Sequence, residues 1–216
     1  MIFSFATPCR RLVQLVGGAA FFMKNILFFG DSLTAGYGLP AADSFPARIQ
    51  EKLTTAGLAF RVHNYGVSGE TSAGGRQRLA SVLARQAPDI FVLALGANDG
   101  LRGIAVRETV ANLRTILHEV RRQFPQAHLV LAGLDFPFDL SPLGLPGLGR
   151  YAQDFSALFR TLAEAEGVAF VPSLLAGVLG RPELNLPDRV HPNAAGQRLL
   201  AANVWAVLEP LLQVAA

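Results

Sequence analysis

Residues 25–38 read "NILFFGDSLTAGYG". The opening apolar run is short and stops at a glycine, which predicts a strand buried on both faces rather than a helix. The rest is loop chemistry: glycines, an aspartate and two hydroxyls. Four further runs follow the same plan, "AFRVH" (59–63), "IFVLAL" (90–95), "HLVLA" (128–132) and "VAFV" (168–171). Segments of helical period separate them. Ser44 is placed to cap a helix with Phe45, Ile49 and Leu53 on one face, closed by Gly57. Val106, Val110, Leu113, Leu117, Val120 and Phe124 recur at steps of four and three until Pro125. Tyr151, Phe155, Leu158 and Leu162 repeat the pattern up to Gly167, and a last helix from Asn193 buries Leu200, Val204, Leu208 and Leu211. Strands alternating with helices predict an α/β fold, a sandwich of helices around a five-stranded parallel sheet.

The totals suit one domain. The chain has 216 residues, 51% of them apolar and 16% charged. No stretch reaches the roughly 20 consecutive apolar residues that span a bilayer, so no stable membrane insertion is expected. The net charge is +3. Arg10 and Arg11 supply most of it, and no basic helix or aromatic-plus-Arg cluster marks a nucleic-acid partner. Cys9 is the only cysteine, which excludes an intrachain disulfide and a thiolate metal site.

Residues 1–22, "MIFSFATPCRRLVQLVGGAAFF", stand apart from the single domain expected over 23–216. They read either as a secretory signal cut near Ala20, which would send the domain to the periplasm or outside the cell, or as an extension upstream of a working start at Met23. Gln14, the paired glycines and the lack of a small-x-small site favour the second reading and a cytoplasmic protein.

In an open parallel sheet, ligands sit outside the carboxyl ends of the strands. The loop at 30–38 lacks the lysine of a phosphate-binding G-x-x-x-x-G-K-[ST] and the spacing of G-x-G-x-x-G. It is left as a tight turn or a reactive serine. In "NYGVSGETSAGG" (64–75), Ser68 mimics the G-x-S-x-G nucleophile elbow, but the second glycine comes one position early. Ser68 reads as a turn residue, whereas the bare N–H of Gly69 suits a developing negative charge. In "GANDG" (96–100), Asn98 is either a turn former or an amide donor into the same space. "LPDRVHPN" (186–193) carries the strongest signal: Asp188 and His191 lie three apart, just before a helix. That spacing lets the carboxylate accept from one imidazole nitrogen and leaves the other facing the sheet end. His63, His118 and His128 read as structural.

In this order, "GDSLTAG", "GVSGETS", "GANDG" and "DRVHPN" resemble the four blocks of the SGNH (GDSL) hydrolase superfamily. "GDSLTAGYGL", "GANDGLRG" and "HPNAAG" are similar to its bacterial arylesterase, acyl thioesterase and lysophospholipase branch, and the likeness covers about 23–213. The resemblance implies a flavodoxin-like three-layer α/β/α sandwich with no metal or other cofactor. It implies Ser32 as nucleophile, His191 as base and Asp188 as its orienter. The N–H groups of Ser32 and Gly69 and the Asn98 amide would form the oxyanion hole. The expected function is a serine esterase that hydrolyses small or lipid-like acyl esters or thioesters through an acyl-enzyme on Ser32.

Candidate substrate contacts are Asp31, Leu101, Arg102, Phe136 and Phe138. The last two belong to "FPFDLSPLGLPGLG" (136–149), read either as an acyl-chain pocket or lid or as a loop packed over the core. Three rivals are weighed. A metal-dependent phosphoesterase would use Asp31, Asn98, Asp99 and His191 but lacks further convergent ligands. A carbohydrate O-deacetylase of the same superfamily is the nearer alternative. A silent flavodoxin-like binding module would have no use for a serine, oxyanion donors and an Asp–His pair together.

Overall fold

The computed structural model describes residues 13–16, 19–134 and 146–215. Strands β1 (Val13–Val16) and β2 (Ala19–Phe22) form an antiparallel hairpin, with Val13 opposite Phe22 and Val16 opposite Ala19. The main sheet consists of β3 (Lys24–Gly30), β4 (Phe60–Gly66), β5 (Ile90–Ala94), β6 (His128–Ala132) and β7 (Ala169–Val171). All its pairings are parallel, in the order β4-β3-β5-β6-β7. This is the flavodoxin-like winding, whose order reverses beside the first sheet strand.

The two central strands behave as the apolar runs predict, with Ile26 to Phe29 and Ile90 to Leu93 fully buried. The edge strand β4 departs from its prediction. The run 59–63 ends where apolar residues end, but pairing continues through Asn64 and Tyr65 to Gly66. An edge strand is half-solvated, so polar residues extend it and the apolar criterion cuts it short.

The described residues also form seven α-helices, α1 (Ser32–Ala35), α2 (Phe45–Thr55), α3 (Ser72–Arg85), α4 (Ala97–Leu101), α5 (Val106–Gln123), α6 (Pro146–Glu166) and α7 (Ala194–Ala215), and two short 3-10 turns at Ala41–Asp43 and Pro182–Leu184. α2 packs on α7, and α3, α5 and α6 pack in series, making the two helical layers. Helix α5 buries Leu113, Ile116, Leu117 and Val120 and is capped by Phe124, whose helical conformation Pro125 disfavours. In α7 the fully buried position of the last turn is Leu212, with Leu211 only partly buried. Helix α3 has no counterpart in the sequence reading, because Gly74 and Gly75 occupy its first turns and its apolar stripe begins only at Leu79.

Ser44 sits at the N-cap of α2 without capping it, since its hydroxyl donates to the Ala41 carbonyl at 2.8 Å. The orphan N–H of Phe45 instead donates to Gln197 Oε1 of α7 at 2.7 Å. The amide Nε2 of Gln197 donates to the Leu33 carbonyl at 3.3 Å. One buried glutamine therefore joins α1, α2 and α7. It is a tertiary cap that no local signature announces.

Register positions the site. Gly30 lies opposite both Gly66 and Ala94, so the loops after β3, β4 and β5 leave the sheet at one level. Gly30 is compulsory there. A Cβ on it would sit 2.1 Å from Thr34 Oγ1 and 2.6 Å from the Ala94 carbonyl oxygen. Among the described residues no helix is long and apolar enough to cross a membrane.

Candidate active site

The loop after β3 turns at once into α1. Asp31 is its N-cap, with Oδ1 accepting from the Leu33 N–H at 3.0 Å, and Gly36 ends it in the left-handed region at φ 76°. Ser32 is thereby held at the first helical position, almost buried, with its hydroxyl turned towards the loop before α7. That loop is closed on itself. The Leu186 N–H donates to the His191 carbonyl at 2.7 Å, and the Arg189 N–H donates to the Leu186 carbonyl at 2.8 Å. Arg189 takes a left-handed φ of 59°, the only non-glycine residue described to do so. Asn193 then caps α7, its Oδ1 accepting from the Ala195 and Gly196 N–H groups at 2.9 and 3.1 Å.

The structure brings Ser32, His191 and Asp188 into one chain of hydrogen bonds. His191 Nε2 lies 3.0 Å from Ser32 Oγ, and His191 Nδ1 lies 2.7 Å from Asp188 Oδ2. The other carboxylate oxygen accepts from the N–H groups of Val190 and His191 at 2.9 and 3.0 Å. These bonds hold the Asp188 carboxyl down at about 2, the His191 N–H contributing most, then the imidazole, then the Val190 N–H. An ionised carboxylate on Nδ1 selects the tautomer that keeps Nε2 free to accept from serine.

Across the sheet end, Asn98 in α4 donates from Nδ2 to the Glu70 carbonyl at 3.0 Å. This ties the third loop to the second beside Gly69, which adopts φ 78°. Ser68 lies inside the turn closed by the Glu70 N–H to Val67 carbonyl bond of 3.2 Å, as a turn residue should. Arg102 adds a second tie, donating from Nη2 to the Gly69 carbonyl at 2.9 Å, and its neighbour Leu101 is 61% exposed. Phe136 and Phe138 lie outside the described residues.

Asp31 corrects the sequence reading. It was expected to touch substrate, but it is fully buried, folded under the turn it caps. Its Oδ2 has no hydrogen-bond partner among the described residues. Burial pushes its carboxyl up to about 7. The Leu33 N–H pulls the other way, and the charges of Glu70 and Asp99 add to the rise. Asp99, named in the metal-dependent alternative, is committed elsewhere: it accepts from the Ser72 N–H at 2.8 Å, the Ser72 hydroxyl, and the Thr109 hydroxyl at 3.2 Å. Among the described residues no group of three or more His, Cys, Asp or Glu side chains is arranged to hold a metal ion.

Sequence reasoning missed several residues. The ring of Tyr37 lies 4.4 Å from the His191 ring, tilted by 38°, and is half exposed. Its place in "GDSLTAGYG" is the one local hint. Gln197, which holds the carbonyl beside Ser32, and Arg78, which reaches the Gly30 carbonyl from α3, act over distances that no motif spans.

A hydroxyl, an imidazole and a carboxylate in relay, at the switch point of a flavodoxin-like sheet, are the fold and site of a serine-type ester hydrolase. A family model described as GDSL-like Lipase/Acylhydrolase matches residues 28–199, and the chain belongs to that family. It is a carboxylic ester hydrolase. Over 204 residues it is 37% identical to the esterase TesA of Pseudomonas aeruginosa, covering 94% of this chain and 96% of that one. Over 211 residues it is 32% identical to the thioesterase 1/protease 1/lysophospholipase L1 of Escherichia coli K12, covering 98% and 95%. The crystal structure of TesA matches with a TM-score of 0.79 at 37% identity, over 87% of this chain and 99% of that one.

Proposed function

We propose that Ser32 attacks the acyl carbonyl while His191 Nε2 takes its proton, giving a tetrahedral intermediate and then an acyl-enzyme. His191 returns the proton to the departing alcohol or thiol. Water then attacks the acyl-enzyme with His191 again as base, releasing the acid and regenerating Ser32. Asp188 orients the imidazole and stabilises it when charged. The N–H groups of Ser32 and Gly69 and the second N–H of the Asn98 amide receive the oxyanion. One observation carries this reading: the continuous Asp188–His191–Ser32 chain with contacts of 2.7 and 3.0 Å.

For substrate, we infer aryl and short-to-medium acyl esters, with lysophospholipid and acyl thioester as further members of the class. The support is chemical. Tyr37, Val67, Leu101 and Val190 are large apolar residues at least 45% exposed. They lie on the loops after β3, β4 and β5 and on the loop carrying His191. Exposed apolar side chains gathered on such loops suit an acyl chain better than a sugar. The names of the relatives, an esterase and a thioesterase/lysophospholipase, fit the same class.

The test is Ser32→Ala, measured with p-nitrophenyl esters from acetate to octanoate. The variant is expected to fold and to lose hydrolysis and labelling by a serine-directed organophosphonate, while the parent is labelled once per chain. Turnover retained by purified Ser32→Ala would overturn the mechanism.

A further inference from the structure

One part-buried cation is tied to the segments that carry all three proposed oxyanion donors. Arg78, on α3, has a side chain only 20% exposed, and its partner Glu70 only 8%. Arg78 Nε lies 2.6 and 2.7 Å from the two carboxylate oxygens of Glu70, and Nη2 also donates to that carboxylate. The same Nη2 donates to the Tyr65 carbonyl at 2.8 Å and to the Gly30 carbonyl at 3.2 Å. The guanidinium lies 3.9 Å above the centre of the Phe29 ring. Gly30 is two residues before Ser32, and Glu70 directly follows Gly69. The Glu70 carbonyl takes one N–H of Asn98 Nδ2 at 3.0 Å, which fixes the plane of that amide and so the direction of its second N–H. Each of the three donors is thus held to Arg78 through at most two residues of backbone or one further hydrogen bond.

We propose that the Arg78–Glu70 pair is the positioning device of the oxyanion hole, setting the spacing of the Ser32, Gly69 and Asn98 donors. The inference rests on the assignment of those donors above. Neither residue touches substrate. Ion pairs shielded from water are poor sources of net stability but hold geometry well when their charges are hydrogen-bonded, as Arg78 Nε and Nη2 are to the Glu70 carboxylate and two carbonyls. The geometry requires arginine. Lysine keeps the charge, but it cannot pair with the carboxylate through a planar fork, lie flat on Phe29 and reach two carbonyls at once. A loosened hole loses contacts made mainly in the transition state, so the loss falls on kcat rather than KM.

The experiment compares Arg78→Lys and Glu70→Gln with the parent on p-nitrophenyl butyrate, each rate divided by the concentration of active sites titrated with an organophosphonate. In Arg78→Lys, kcat per active site is expected to fall by about 10- to 100-fold, below the loss typical of deleting a donor outright. KM should stay within about twofold, and the phosphonylation rate should fall in parallel because that adduct needs the same hole. Glu70→Gln, nearly isosteric, should give a smaller loss of the same kind. The pH dependence of kcat/KM should keep its shape, since His191 is not disturbed. A purely structural role would instead lower the melting temperature and the titratable fraction while leaving kcat per site within about twofold, and that result in either folded variant overturns the proposal. If Ser32→Ala is inactive and unlabelled while Arg78→Lys is unchanged per site, the positioning role alone fails. If Ser32→Ala is active, the reading of the site fails with it.

Discussion

Asp31 and Asp188 stand one residue from Ser32 and three from His191, and the protein treats their charges in opposite ways. Asp188 is partly open to water and accepts three hydrogen bonds within its own loop. Asp31 is fully buried, accepts the Leu33 N–H through Oδ1, and leaves Oδ2 without a partner among the described residues. The first is held down at about 2 and the second is pushed up to about 7. Proximity to the reacting groups therefore does not decide which carboxylate serves the chemistry. Burial of the one, and the three donors facing the ionised form of the other, do. In the proposed mechanism Asp188 is a charge kept ready for the imidazolium. Asp31 is a cap on a buried turn.

Asp188→Asn breaks the first half of that contrast most severely. An amide that turns its NH2 towards His191 Nδ1 selects the tautomer in which Nε2 carries the proton and no longer accepts from Ser32. Such a reversal typically costs about 10⁴-fold in kcat. Steady-state rates on p-nitrophenyl butyrate check it, and a loss under about tenfold would mean that Asp188 does not select the tautomer. Because the Asp188 carboxyl stays ionised down to about 2, the acid limb of log kcat/KM should fall with a slope of one above pH 3. A slope of two would reveal a second essential group protonating in the same range.

Asn98→Ala comes next. It leaves the Asp188–His191 relay intact and removes one of the proposed oxyanion donors, so kcat should drop by about 10²–10³ with KM little changed. A change confined to KM would place Asn98 on the ground-state substrate instead.

How much of this was legible in the sequence depends on how far each signal travels along the chain. Asp188 and His191 sit three apart in one compact motif and Ser32 in another, and parallel topology brings their strand-end loops together. β3 and β5 were legible because their middle residues, Ile26 to Phe29 and Ile90 to Leu93, are all apolar and fully buried. Edge strand β4 was cut short, and α3 passed unseen behind Gly74 and Gly75, where periodicity is weak. Arg78 and Gln197 act through partners that only the fold brings near, up to 164 residues away for the Gln197–Leu33 bond. Asp31 was misread for a related reason. A glycine-rich loop looks exposed, and nothing local says that α1 folds its cap beneath the surface.

Gly30→Ala tests the turn that buries Asp31. The added Cβ meets Thr34 Oγ1 and the Ala94 carbonyl oxygen at contact distances no real methyl adopts, so α1 must move off the sheet. Overpacking of this kind costs about 1–3 kcal/mol. Urea denaturation should show a lower midpoint, and the phosphonate-titratable fraction should fall because Ser32 rides on the displaced turn. An unchanged midpoint would mean the loop is looser than its packing implies.

The smallest effect is the most specific. Asp31→Asn keeps the Oδ1 acceptor for the Leu33 N–H and replaces the unpartnered, ionisable oxygen with a neutral group. In the parent, the folded-state value near 7 lies above the ordinary aspartate value of 3.8. Between those values the folded protein binds the proton that the unfolded chain has lost, so this residue's contribution to stability declines as pH rises from about 4 to 7. Above 7 both states are ionised and the full penalty of a buried charge persists. The variant should therefore match the parent near pH 4 and exceed it by a margin that grows as pH rises through this window to 8. Urea midpoints at the two pH values measure the difference. A gain equal at both would trace to packing rather than charge, and a loss at pH 8 would mean that the ionised Asp31 carboxylate has a partner when the enzyme is folded.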